Sequence, residues 1–230
     1  MEGKKSLGYM QPRSYKLVIF DLDGTLLNTI ADLSEAVNYA LGLRNLPLHS
    51  LEEYTQMVGH GVRNLMQQAL PKELGDDAVT VDAVLADFTA YYTEHIDVYT
   101  RPYPGMQALL TTLHQKGVMM AVASNKFQEG TEHLIGEFFG DIPFVAVLGN
   151  RPGFPLKPDP EIVGEVLHQS GIAKEEALMV GDSPTDMKTA ANGEIRGVAV
   201  SWGYRNMKEV EGLTVVDSAD ELGKLILGDW

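Results

Sequence analysis

The strongest constraint on this chain is a rhythm of short, β-branched apolar runs that each stop abruptly at polar residues. Residues 15–20 read Tyr-Lys-Leu-Val-Ile-Phe and end at Asp21, the pattern of a strand buried on both faces. Comparable runs stand at 118–123, 144–148, 177–180 and 197–200. Segments with helical spacing separate them. Leu109, Leu110 and Leu113 precede Lys116-Gly117, and Ile162, Val166 and Leu167 precede Ser170-Gly171, apolar stripes closed by glycine caps. This alternation predicts an α/β fold, a doubly wound, Rossmann-like parallel sheet with helices on both faces.

One interval breaks the rhythm. Nearly a hundred residues separate Asp21 from the second run, where a simple crossover needs far fewer. Within it Ile30, Leu33, Val37, Ala40 and Leu41 fall at helical spacing, as do Leu65, Met66, Ala69 and Leu70, and then Val81, Val84, Leu85, Phe88 and Tyr92. An α-helical cap domain is therefore expected over 30–99, inserted into a core made of 15–29 and 100–230, with 1–14 as a disordered tail. The prolines and glycine of Arg101-Pro102-Tyr103-Pro104-Gly105 mark the exit from the insert.

Composition narrows the function. The chain has 230 residues, 18 basic against 32 acidic side chains and a formal net charge of −14, a balance that repels a phosphate backbone and argues against nucleic acid as a partner. It has no cysteine, which removes thiolate nucleophiles and zinc–thiolate sites and fits a reducing compartment. The longest apolar run, 118–123, is far short of the ~20 residues a membrane span requires. Lys4 and Lys5 are followed by a segment too polar and short for a signal peptide. The expectation is a cytoplasmic protein without membrane contact, acting on a small molecule; oligomeric state has no signal here.

Open parallel sheets bind ligands beyond the carboxyl ends of their strands, and those positions are rich in chemistry. The first run is followed by Asp21-Leu22-Asp23-Gly24-Thr25, with two carboxylates at alternate positions and a glycine that lets the chain turn. A lone Asp-x-Asp is more often a helix-capping turn; the other strand ends shift that balance. Ser124-Asn125-Lys126 follows the second run as a hydroxyl, an amide and an ammonium in one loop. Pro158 holds Lys157 extended within Leu156-Lys157-Pro158-Asp159-Pro160. Gly181-Asp182-Ser183-Pro184-Thr185-Asp186 places Asp182 at a strand end and Asp186 in the first turn of a helix, where the helix dipole alone also favours an acid. Thr29 with Asp32 three residues on reads as a helix cap.

These residues, in this order, resemble the signatures of the haloacid-dehalogenase-like (HAD) hydrolase superfamily: Asp21-x-Asp23-Gly24-Thr25, Ser124-Asn125, Lys157, and Gly181-Asp182-Ser183-x-x-Asp186. The insert lies where that family's C1-type helical cap lies. The chain is most similar to phosphoglycolate-phosphatase-type members through Val58-Gly59-His60-Gly61-Val62-Arg63-Asn64-Leu65, Tyr103-Pro104-Gly105, Lys157-Pro158-Asp159-Pro160 and Trp202-Gly203-Tyr204. It departs from many relatives at Asn28-Thr29, where they carry an acid followed by Ser.

The resemblance implies a Mg²⁺-dependent phosphatase acting on a small phosphate monoester. Asp21 would attack phosphorus and form an aspartyl-phosphate. Asp23 would protonate the leaving alkoxide and then deprotonate water; the family's dehalogenases lack this second acid. Thr25, Ser124, Asn125 and Lys157 would bind the phosphoryl group. Asp21, Asp182 and Asp186, with the backbone carbonyl of Asp23, would hold Mg²⁺, whose charge the carboxylates and phosphate require. His60 and Arg63 are candidate substrate-selecting residues, Arg63 through a carboxylate. Two rivals stay open. A β-phosphoglucomutase-type transferase shares all four motifs, and a signalling receiver phosphorylated on Asp uses a similar acidic cluster on a doubly wound sheet.

Overall fold

The computed structural model describes residues 14–210 and 212–228, so the expected tail over 1–14 lies, apart from Ser14, outside the described residues. Among them one parallel sheet runs in the order β5 (Phe144–Asn150), β4 (Met119–Phe127), β1 (Leu17–Phe20), β6 (Ala177–Gly181), β7 (Arg196–Val200), β8 (Val215–Val216). The chain proceeds outward from β1 through β4 to β5, then returns to lay β6 on the other side of β1. The order therefore reverses between β1 and β6, and a crevice opens at such a point.

All four residues of β1 are fully buried. Val18 and Phe20 join the apolar cluster on one face of the sheet, with Leu109, Leu110 and Leu113 of α6 (Met106–Gln115) and Leu222 and Ile226 of α10 (Ala219–Leu227). Leu17 and Ile19 join the other, with Ile162, Val163 and Val166 of α8 (Glu161–Ser170) and Ala190 of α9 (Pro184–Asn192). Helices on both faces explain why the run is apolar without alternation.

The long interval is helical as the periodicity predicts: α1 (Ile30–Gly42), α2 (Leu51–Met57), α3 (Val62–Ala69), α4 (Lys72–Gly75) and α5 (Ala78–His95). Ala36, Val37, Ala40 and Leu41 of α1 are buried in one cluster with Val81, Val84, Phe88 and Tyr92 of α5. That cluster is continuous with the first sheet face through Leu22, Leu26 and Leu27. Chain entry and exit pair as a short antiparallel ribbon, β2 (Leu27–Asn28) with β3 (Arg101–Pro102). No helix among the described residues is long and apolar enough to cross a membrane.

Two local expectations are corrected. Thr29 is the N-cap residue of α1, yet its side chain makes no cap hydrogen bond. Asp32 instead accepts from Tyr99 N (2.9 and 3.0 Å), Thr100 N (2.8 Å) and Thr100 Oγ1 (2.7 Å), tying the two connections of the insert together. Donors that the returning chain would otherwise bury unpaired outcompete a local cap. Ser124, Asn125 and Lys126 also belong to the end of β4 rather than to a loop, which runs on past its apolar run to pair Phe127 with Asn150 of β5.

Candidate active site

The acidic residues meet where the strand order reverses. Asp21 follows β1 directly, its N–H donating to Val180 O of β6 (2.9 Å). Asp182 follows β6, and Asp186 sits three residues past the N-cap of α9 in a reciprocal capping box with Ser183. Asp186 Oδ2 accepts from Ser183 Oγ (2.6 Å) and Ser183 N (3.1 Å), which leaves Oδ1 for Lys157 Nζ at 2.7 Å. The same ammonium is 2.8 Å from Asp21 Oδ1, which also accepts from Leu22 N (2.7 Å). Gly24, at φ +86°, and Gly203 wrap Asp182 closely. A Cβ on either would lie 2.4 Å and 2.2 Å, respectively, from an Asp182 side-chain atom, so only glycine permits the chain to come so near.

Burial sets the electrostatics. The Asp21 carboxyl is raised well above its usual range by burial first and by Asp186 second, with Lys157 opposing. Asp182 is pushed up to about 7, again by burial and then Asp186. Burial works against the charge on Lys157, but Asp186 and Asp21 outweigh it and raise its pKa. Asp21, Asp182 and Asp186 each offer an oxygen within 4.8 Å of the others. Once ionised, three buried carboxylates and one ammonium leave an excess of negative charge that a divalent cation would compensate. The donor set is all oxygen, which suits a hard ion such as Mg²⁺.

A second layer faces the helical insert. Asp23 Oδ1 accepts from Thr29 Oγ1 (2.6 Å) and from Lys126 Nζ (3.0 Å). Lys126 Nζ also donates to the hydroxyl of Tyr92 on α5 (2.8 Å) and lies 4.9 Å from the centre of its ring. Tyr204, in the segment after β7, donates its N–H to Asp182 Oδ2 (2.7 Å), while its hydroxyl accepts from Thr29 N (2.8 Å). Sequence reasoning quoted Lys126 without giving it a role; its ammonium two residues past Ser124 was the available signal. Tyr92 had none, since it reads as an apolar helix position, and Tyr204 stood out only within the Trp202-Gly203-Tyr204 fragment of the resemblance, with no role attached.

The cleft holds about 700 Å³ between its walls, part of it open to solvent. Asp21, Asp23, Ser124, Lys126, Lys157, Asp182 and Asp186 form its floor, with Ile30, Leu33, Val58, Val62 and Leu65 of the insert above. Ser124 lines the cleft, its Oγ accepting from Lys126 N at 3.2 Å. The other sequence candidates are placed differently. Asn125 lines the cleft too, but its amide is spent on backbone: Nδ2 donates to Gly59 O (3.0 Å) and Lys157 O (3.1 Å), and Oδ1 accepts from Lys157 N (2.8 Å). Its side chain thereby braces Lys157. Thr25 is fully buried away from the cleft walls, its hydroxyl without a partner among the described residues. His60 and Arg63 are exposed and do not line the cleft, and Arg63 pairs with Asp82 of α5. The backbone around Gly59 and Gly61 reaches the cleft while those side chains turn outward.

Known proteins resemble this chain in sequence and fold. Residues 18–200 match the family model described as haloacid dehalogenase-like hydrolase. The phosphoglycolate phosphatase of Mesorhizobium japonicum is 33% identical over 212 residues, covering 91% of this chain and 93% of that protein. That of Rhodospirillum rubrum is 35% identical over 222 residues, with 94% and 90% covered. A crystal structure from Lactobacillus delbrueckii subsp. bulgaricus, provisionally assigned as a phosphoglycolate phosphatase, superposes with a TM-score of 0.88 at 32% identity, covering 94% of this chain and 100% of that one. Matched from within β1 to the end of β7, the chain belongs to the haloacid dehalogenase-like hydrolase family.

Proposed function

We propose that this enzyme, a phosphoric monoester hydrolase, works in the cytoplasm with Mg²⁺ on a small ester of the phosphoglycolate kind, through an aspartyl-phosphate on Asp21. The observation that carries the reading is the division of partners between two neighbouring carboxylates. Asp21 is set among acids and held by Lys157 at 2.8 Å; Asp23 stands toward the insert and is held by Lys126 at 3.0 Å. One position suits a nucleophile and the other a group that exchanges protons with the ester oxygen and then with water.

In the first step an oxygen of Asp21 bonds to phosphorus as the bond from phosphorus to the ester oxygen breaks, and Asp23 gives that oxygen its proton. In the second, Asp23 takes a proton from water, whose oxygen bonds to phosphorus and releases Asp21 with inorganic phosphate. Lys157 holds Asp21 in place and offsets charge on the phosphoryl oxygens; Ser124 Oγ donates to one of them. Asn125 positions Lys157. Asp21, Asp182 and Asp186, with the backbone carbonyl of Asp23, would hold the Mg²⁺, which supplies charge compensation and polarises the phosphoryl group. The apolar roof excludes water and limits the ester's size.

Relatives named phosphoglycolate phosphatase support the choice of substrate. The test is phosphate release from a panel of small esters with Mg²⁺, scored by kcat/KM and including β-glucose 1-phosphate. Phosphoglycolate should lead the panel. A bulky ester in first place, or conversion of β-glucose 1-phosphate to the 6-phosphate, would contradict the reading.

A further inference from the structure

Among the described residues the cleft contains one cation that no carboxylate touches. Among the described residues Lys126, Lys157 and Arg205 are the basic side chains lining it. Lys126 is spent on Asp23 and Tyr92, and Lys157 on Asp21 and Asp186. Arg205 differs. Its Nη2 donates to Gln56 O (2.8 Å) and Val58 O (3.0 Å), two neutral carbonyls at the end of α2. Its Nη1 is closed off from solvent and has no partner among the described residues. Each terminal nitrogen of a guanidinium carries two N–H groups, so both donors on Nη2 are used and both on Nη1 are idle. A shielded charged donor left idle costs more than an ordinary hydrogen bond gains; on the half-buried Arg205 side chain burial works against the charge, and Asp182 opposes that in part. Native structures rarely leave such a group empty-handed without a ligand or water to complete it.

Its position gives the guanidinium a purpose. Arg205 follows Tyr204, whose N–H is fixed to Asp182 and whose hydroxyl meets Thr29. The backbone of Arg205 is thus anchored at the acid cluster, while its guanidinium reaches the roof at Val58. A side chain bridging floor and roof lies beside whatever extends from a phosphoryl group at Asp21.

We propose that Arg205 selects the substrate, its guanidinium in the cleft wall pairing with the carboxylate on the alcohol half of the ester. This inference rests on the reading of the enzyme as a hydrolase of phosphoglycolate-like esters and names the contact that makes the choice. An ester with a neutral alcohol half leaves the guanidinium without an anionic partner, so discrimination comes from the unanswered charge as well as from the ion pair gained. Selection then resides in a loop of the sheet domain, not in the exposed Arg63 of the insert.

The test compares phosphoglycolate with 2-hydroxyethyl phosphate, which carries a hydroxymethyl group in place of the carboxylate. The readout is the ratio of their kcat/KM values in the wild type, Arg205→Met and Arg205→Lys. Loss of the two carbonyl contacts to the roof, or partial unfolding, weakens hydrolysis of both esters and cancels in the ratio. The ratio should fall about 30-fold in Arg205→Met, chiefly through KM for phosphoglycolate, and recover in part in Arg205→Lys. A measurement without turnover runs beside it: the inhibition constant of glycolate should rise by a similar factor in Arg205→Met. A wild type that prefers phosphoglycolate, with the ratio and the glycolate constant unmoved in Arg205→Met, overturns the role of Arg205 and leaves the substrate reading intact. A wild-type ratio near one overturns both.

Discussion

The floor and the roof of the cleft are built on different principles. On the floor Asp21, Lys157, Asp182 and Asp186 are all at most 8% exposed, Lys157 pairing with Asp21 and Asp186 while Asp182 lies beside them. The roof presents Ile30, Leu33, Val58, Val62 and Leu65 to the cleft. Its charges pair elsewhere, Arg63 with Asp82 and Arg44 with Asp87. The roof's polar reach to the floor is the hydroxyl of Tyr92 on Lys126, together with backbone carbonyls at Gln56, Val58 and Gly59. Chemistry held by a rigid sheet should be lost as a unit when a floor residue changes. The roof excludes water by apolar contact, so single changes there should act by degree.

The comparison is most exposed at Asp21. Asp21→Asn should lose about four orders of magnitude in turnover, because an amide is a poor nucleophile and a poor metal ligand, while circular dichroism stays that of the wild type. Substantial turnover by the folded variant would break the distinction between floor and roof.

Metal removal should be nearly as severe: chelation abolishes activity and Mg²⁺ restores it. The pH dependence of stability sharpens this. With its carboxyl pushed up to about 7 from an ordinary 3.8, Asp182 holds a proton in the folded, metal-free protein across a window in which the unfolded chain has released it. Stability of the metal-free protein therefore falls as pH rises through that window. Above it no proton has to be displaced by the cation. Saturating Mg²⁺ should accordingly raise Tm more at pH 8 than at pH 5, and the reverse order would contradict the buried-cluster account.

At the seam between floor and roof, Lys126→Met should lower kcat about 100-fold by releasing Asp23 from its ammonium, while Tyr92→Phe, which removes only the roof's hydroxyl, should lower it about 3-fold to 10-fold at a cost of about 1 kcal/mol in stability. Equal effects of the two would mean that Lys126 acts through the roof alone. The smallest effect belongs to Arg63→Ala. Its pair with Asp82 is exposed on both sides, so kcat/KM for phosphoglycolate should stay within about twofold and stability within ~0.5 kcal/mol; a selective loss on phosphoglycolate would move substrate selection into the roof.

These contrasts follow what a linear sequence displays. Asp21, Asp182 and the end of β4 were legible because each adjoins an apolar run, and the sheet topology brings adjoining strand ends together. The helices of the insert were legible from spacing such as that of Val81, Val84, Phe88 and Tyr92. β8 escaped because two residues, Val215 and Val216, are too short to show a period. The Thr29 and Asp32 cap was misread because a local motif does not reveal that Tyr99 and Thr100, far along the chain, claim the carboxylate. Lys126 stood in view without its partner, since Tyr92 lies in another element. Arg205 was invisible for a further reason: its signal is a missing partner, which only three dimensions can show.

The most direct test of the central claim, that Asp21 and Asp23 divide nucleophile from proton carrier, uses Asp23→Asn with an aryl phosphate and Mg²⁺. An aryl oxide leaves without a proton donor, so the first step proceeds; the second, which needs a base to deprotonate water, stalls. Rapid mixing should show a burst of aryl oxide equal to the enzyme concentration, and peptide mass spectrometry of the quenched sample should find the added phosphoryl group on Asp21. Linear release without a burst, or a phosphoryl group on any other residue, would contradict the account.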